Sequence, residues 1–256
     1  MAKGESQTVL RAISIVNCFS AEHPSLGVRE IARRLGLATA TTGRLLATLH
    51  SAGVLARNPG RTYTLGPRVL AWAGLYTGGL DVRATAAPIL DRLRRATRES
   101  TMLYVLDGDE RVCVERLEGP ENIRAVVRLG ERLPCYAGAG GKVLLAFLPP
   151  AEQQAMLARL TLVRFTDRTV TSRARLERDL ATIRRQGYAT TVGERFPGAT
   201  AVAAPIFGAD GSVIAAVNVS GPTNRFTASR RTECIRHVTR AALAISRAMG
   251  YRPTQR

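Results

Sequence analysis

Between Thr39 and Arg44 the chain carries three threonines and an arginine, and from Ala38 to Ser51 it has no Glu or Lys. Hydroxyls and a guanidinium hydrogen-bond to base edges and phosphates in a major groove. Thr39, Thr41, Thr42 and Arg44 are therefore expected to contact DNA from the outer side of a helix. The plainer alternative, a solvated polar face, would normally contain Glu or Lys. Arg57 and Arg61 flank Asn58-Pro59-Gly60, and at a hairpin tip they would reach phosphates or a minor groove.

Two further segments have chemical content. Leu133 to Ala146 is glycine-rich and opens a helical pattern, so its backbone N–H groups are expected to be free to hold an anion. A nucleotide-hydrolysing phosphate loop does not fit, because that motif needs Gly at 136 and Ser or Thr at 143, where Tyr136 and Val143 stand. In Val213–Ser220, alternation puts Asn218 and Ser220 on one face with Ile214 and Ala216, opposite Val213, Val217 and Val219. Two small polar groups on an apolar face suit a pocket that orients a small ligand. A polar strand end facing water fits these residues nearly as well.

No catalytic constellation is apparent. His23, His50 and His237 lie outside both of these segments, and no nucleophile stands beside a base, so an enzyme is not expected. Cys18, Cys113, Cys135 and Cys234 are scattered, which argues against a zinc site or a disulfide framework. Cys135 reads as a small buried hydrophobe. No metal and no cofactor is expected; an interaction scaffold without a ligand is the other non-enzymatic reading.

The elements that must position these residues follow from hydrophobic spacing. Thr8–Phe19 predicts a first helix with Val9, Ile13 and Val16 as its buried stripe. A second helix spans Val28–Leu35, with Gly27 as N-cap and Gly36 as a left-handed stop. A third spans Thr39–Ser51, with Leu45, Leu46 and Leu49 inward. Gly43 inside it costs about 1 kcal/mol relative to Ala. Strands at Gly53–Arg57 and Arg61–Leu65 form a basic hairpin. Three helices and such a wing make residues 1–66 a winged helix-turn-helix.

Residues 67–81 predict a linker helix, opened by Pro67 and carrying Trp72 as a packing anchor. Residues 82–256 read as a larger domain. It begins with a helix through Ile89, Leu93 and Ala96, then strands at 101–106, 111–117 and 124–129. Helices near 140–147, 151–160 and 172–186 precede strands at 188–192, 202–207 and 213–220. A closing helix over 227–250 has Ile235, Val238, Ala242, Ile245 and Met249 as one seam. Helices bracketing a largely antiparallel sheet make this an α+β domain.

The bulk numbers agree with two domains in 256 residues. No apolar run approaches the roughly 20 residues that span a bilayer, and Met1–Leu10 lacks the apolar core of a secretion signal. A cytoplasmic protein with no membrane partner is expected. The net charge of +17 permits a polyanionic partner. It does not locate a binding face, because nine basic and three acidic residues within 1–78 supply only part of the excess.

The run Leu10-Arg-Ala-Ile-Ser-Ile-Val16, then Glu30-Ile-Ala32, Leu37, Arg44-Leu-Leu-Ala-Thr-Leu49 and Tyr63-Thr-Leu-Gly66 resembles the isocitrate lyase regulator (IclR) family of bacterial transcription regulators. The likeness continues through the second domain. It implies a GAF/PAS-like fold for residues 82–256 and control of DNA binding by a small-molecule effector, usually an organic or aromatic acid. It also implies a linker that helps form a homodimer, and a dimer of dimers on double-stranded operator DNA. By resemblance the effector is expected at Gly138 and Ala139, at Thr191 and Ala201, and at Asn218 and Ser220. Family members often differ from this chain at Thr39, Gly43 and Thr191, so neither operator sequence nor ligand chemistry transfers.

Overall fold

Gly36 decides where the second helix stops. Its left-handed backbone (φ 65°) ends α2 (Val28–Leu35), a conformation that costs Gly least. After Leu37 and Ala38 the chain re-enters helix as α3 (Thr39–Ser51). The computed structural model describes residues 6–20, 22–78, 81–124 and 127–252. They belong to two compact units, Met1–Gly79 and Leu80–Arg256.

In the first unit α1 (Gln7–Val16) packs with α2 and α3. The hairpin is β2 (Leu55–Arg57) and β3 (Thr62–Leu65). A short strand β1 (Leu26–Gly27), at a place where the sequence predicts only a break, pairs Leu26 with Tyr63, so β3 is the centre of a three-stranded sheet. Ile15, Leu26, Ile31, Leu46, Leu55 and Tyr63 form the core. The expected stripe on α1 is corrected: Val9 and Ile13 are 55% and 52% exposed, and Ile15 is the buried residue. Two apolar arcs of helical spacing coexist on α1, and packing selects the one through Ile15. In α4 (Pro67–Gly78) Trp72 is not a packing anchor among the described residues, since it is half exposed and Leu70 and Leu75 beside it are largely exposed. The end of the expected linker, at Gly79 and Leu80, lies outside the described residues.

The second unit is α+β. It contains α5 (Asp81–Thr97), β4 (Ser100–Asp107), β5 (Glu110–Leu117), β6 (Arg132–Pro134), α6 (Ala139–Phe147), α7 (Pro150–Arg159) and α8 (Arg173–Gln186). These are followed by β7 (Ala189–Val192), β8 (Ala199–Phe207), β9 (Val213–Pro222) and α9 (Ala228–Ala248). The six strands form one antiparallel sheet in the order β6-β5-β4-β9-β8-β7. One face packs on α6, α7 and α8 through Leu144, Met156 and Leu180. The other packs on α5 and α9 through Leu90, Val238 and Ile245. With both faces covered, the centre of the sheet is fully buried.

Three expectations are corrected here. The strand at 124–129 is absent: Arg124 and Val127–Leu129 are irregular, and residues 125 and 126 lie outside the described residues. The chain instead turns at Gly130 (φ 78°), whose N–H donates to Cys113 O at 2.7 Å, and pairs with β5 only afterwards as β6. On α5 the buried stripe runs through Val82, Ala86, Leu90 and Leu93, leaving Ala96 exposed. On β9 the register shifts near Val213. An irregularity of this kind breaks strict alternation, so Val213 packs with the α6 face and Ile214 with the α9 face, the reverse of the predicted placement.

Candidate functional site

The outer side of α3 is small and uncharged apart from one arginine. Thr39, Ala40, Arg44, Ala47, Thr48 and Ser51 are exposed, and Thr41 is half-buried. Thr42 does not share that side. It is fully buried, and its hydroxyl donates to Ala38 O at 3.1 Å. At helical spacing Thr42 belongs with Leu46 and Leu49, which is why it turns into the core. Gly43 faces α2, where an added Cβ would meet only Val28 at 3.9 Å; nothing in its surroundings demands glycine. At the hairpin tip Arg57 and Arg61 are both exposed. The turn closes with Asn58 N–H on Thr62 O at 2.9 Å and leaves Arg61 left-handed at φ 57°. The first unit thus presents Thr39, Arg44, Arg57 and Arg61 to solvent, with Thr48 an addition that a strict helical wheel would have found.

In the second unit a cavity of about 350 Å³ opens over the sheet, within the range of roughly 300–1,000 Å³ typical of small-molecule sites. Gly138, Ala139, Thr191, Ala201, Asn218 and Ser220, from four separate stretches of chain, all line it. Sheet register explains how. Ser220 on β9 lies opposite Ala201 on β8, which lies opposite Thr191 on β7. Asn218 and Ser220 are 3% and 8% exposed, so they do not form a strand end facing water. Ser220 Oγ donates to Thr200 O at 3.1 Å. The Asn218 amide reaches Met102 Sδ at 3.7 Å, a weak acceptor.

The glycine-rich run forms the cavity wall at the start of α6. Gly138 has φ 94°, and an added Cβ on Gly140 would fall 2.7 Å from the Tyr104 ring. The expectation of free amides there is corrected at Gly138, whose N–H donates to Glu194 Oε2 at 3.1 Å. Glu194 Oε1 in turn holds Lys142 Nζ at 2.6 Å, with Asp179 at 3.1 Å on the same ammonium. An internal carboxylate therefore occupies this helix start, where the helix dipole favours it. Cys135 is inert, its thiol pushed up to about 12 by burial. Tyr104, Arg111, Glu194, Arg195 and Phe196 also line the cavity; no local pattern singles them out, because only the tertiary fold brings them together.

Comparison with known proteins covers both units. The family profile described as "IclR helix-turn-helix domain" matches residues 8–59, and that described as "Bacterial transcriptional regulator IclR C-terminal" matches residues 74–247. The chain belongs to the IclR family. It is a DNA-binding transcription regulator of the IclR type with a helix-turn-helix and a C-terminal ligand-binding domain. The IclR relatives include the transcriptional regulator XynR of Escherichia coli (strain K12), 37% identical over 96% of this chain and 98% of its own length. KipR of Bacillus subtilis (strain 168) is 31% identical over 97% of this chain and 99% of its own. These relatives are named as regulators, not enzymes. Among solved structures, a putative transcriptional regulator from Rhodococcus sp. RHA1 superposes with a TM-score of 0.85 at 32% identity, covering 96% of this chain and 98% of that one. An IclR homolog from Microbacterium hydrocarbonoxydans, crystallised with 4-hydroxybenzoate, has a TM-score of 0.84 at 28% identity over 95% and 99% of the two chains.

Proposed function

We propose that this IclR-family chain binds a two-fold operator as a homodimer, assembled further as a dimer of dimers in the cytoplasm, and that a small organic or aromatic acid in the cavity sets its affinity for DNA. Thr39, Thr41 and Arg44 enter a major groove, while Arg57 and Arg61 hold phosphates or a minor groove beside it. The reading rests on one observation above all: six residues from four separate stretches converge on one cavity of ligand size. The 4-hydroxybenzoate bound by a relative of similar fold supports an acid as occupant. Leu70, Trp72 and Leu75 on α4 support the dimer, because such an exposed apolar run is more stable against a second copy than in water.

Ligand and DNA communicate by differential affinity: an acid that fits one arrangement of the dimer better shifts the population toward it. A coupling of ~1–3 kcal/mol changes operator affinity about 5- to 150-fold. The experiment is to recover fragments of the source genome on the purified protein, sequence them, and measure affinity for the enriched site. A salt-sensitive preference for one two-fold sequence is expected. Equal affinity for all duplexes would refute the proposal.

A further inference from the structure

Two guanidiniums in the cavity wall have no ion-pair partner among the described residues. Arg111 on β5 is 4% exposed. Its Nη1 donates to the Pro134 and Ala137 carbonyls, and its Nε is buried without a partner. Arg195 lies in the loop between β7 and β8. Its guanidinium sits 4.3 Å from the Phe165 ring centroid and 4.8 Å from that of Phe196, and its buried Nε is also unpartnered. Among the described residues no carboxylate forms an ion pair with either arginine. Of the acids nearby, Glu194, the acidic side chain lining the cavity, is held by Lys142 and the Gly138 amide, and Glu131, whose charge reaches Arg195 without forming an ion pair, accepts from the Arg128 backbone N–H.

Taking an unpaired cation out of water is costly, fully so for Arg111 and in part for the half-buried Arg195, and their like charges oppose each other. Burial, and after it the positive charge of Arg111, pull the Arg195 guanidinium below its ordinary pKa, and the more distant carboxylate of Glu131 offsets this only in part. The rings of Phe165 and Phe196 fix where Arg195 stands, and the two carbonyls fix Arg111. Both donors are thus held in place before any ligand arrives, a condition for tight and selective binding.

We propose that Arg111 and Arg195 are the anion-recognition point of the effector cavity, receiving the carboxylate of a small acid while its apolar body lies against Met102, Val127 and Leu133. The inference deepens the proposed function and rests on its reading of the cavity as an effector site. It places charge recognition on two side chains rather than on the start of α6, where Glu194 already takes the Gly138 amide. Guanidinium forks match carboxylates in geometry as well as charge, so the cavity discriminates acids from neutral molecules of the same shape.

The test uses the full chain and four acids (benzoate, 4-hydroxybenzoate, pyruvate and succinate), each with its amide, in thermal-shift and calorimetric titrations. At least one acid is expected to raise the Tm and to bind about tenfold or more tighter than its amide. Arg195→Gln should erase that preference, Arg195→Lys should keep part of it, and the unliganded Tm of both should not fall. Arg195 is the residue to change, because losing Arg111 would also free two buried carbonyls. Equal binding of acid and amide, or an unchanged preference in Arg195→Gln, would overturn the clamp and leave the cavity a ligand site. An acid indifferent to Arg195→Gln but strengthened by Glu194→Gln would put the carboxylate on the Gly138 amide, which also overturns it. Binding of no acid and no amide would sink the clamp and the effector reading together.

Discussion

Arg44 on α3 and Arg111 on β5 are both arginines without a carboxylate partner among the described residues, yet one stands in solvent and the other is buried. In the DNA-binding unit the proposed contacts are exposed side chains over a complete core of Ile15, Ile31 and Leu46. Thr39, Arg44 and Arg57 have no structural task to perform. In the ligand-binding unit the proposed contacts are built into the fold, and several are left with unused hydrogen-bonding capacity. The difference separates two kinds of functional residue. Those of the first unit can be changed at little cost to stability, whereas those of the second carry strain or desolvation that a ligand would relieve.

The comparison can be broken most forcefully from the inside of the first unit. Leu46→Ala removes a fully buried side chain and should cost about 2–5 kcal/mol of that unit's stability. Urea denaturation followed at the single tryptophan, Trp72, would read it, with DNA binding lost as a consequence of unfolding. Arg44→Ala should do the opposite. Operator affinity should fall by about 1–3 kcal/mol while stability stays within ~0.5 kcal/mol, and a stability loss as large as the affinity loss would erase the distinction between the two regions.

Arg61 offers a sharper case. A left-handed residue with a side chain costs about 1 kcal/mol relative to glycine, and Arg61 sits at φ 57°. Arg61→Gly should therefore raise thermal stability while lowering the salt dependence of DNA binding by about one phosphate contact. No gain in Tm would show that the turn relaxes by another route. The smallest effect is expected from Thr42→Val, because the hydroxyl it removes bonds only within the helix, to Ala38 O. Operator affinity should move by less than ~0.5 kcal/mol; a loss matching that of Thr39→Val would return Thr42 to the reading surface.

Much of the architecture was legible because local chemistry and tertiary packing agree. The bounds of α2 and α3 follow from Gly27, Gly36 and the leucine spacing, and the hairpin from Asn58-Pro59-Gly60. Errors fell where two patterns compete. α1 has two apolar arcs, and only contact with the rest of the unit selects Ile15 over Val9 and Ile13. Residues 124–129 hold a short apolar run, Ala125-Val126-Val127, of strand-forming type, yet the ladder on β5 begins only at Arg132, beyond the turn at Gly130. Thr42 is buried although its residue type suits the outer side, and its spacing from Leu46 and Leu49 already points inward.

For the cavity, the glycine-rich run and the polar strand are readable from the residues, the resemblance adds Thr191 and Ala201 and joins them into one site, and sheet register explains their meeting. Arg111 and Arg195 were illegible. They stand 84 positions apart, and their meaning lies in the carboxylates they lack, which only the folded chain displays.

The most direct test of the account is operator affinity with and without the acid that most raises the Tm, measured for the native chain and for the double variant Asn218→Ala, Ser220→Ala. The native chain should change its Kd about fivefold or more on adding the acid, and the double variant should bind the operator as tightly as the native chain does without acid but no longer respond. An acid that occupies the cavity of the native chain and leaves its operator Kd unchanged would contradict the account.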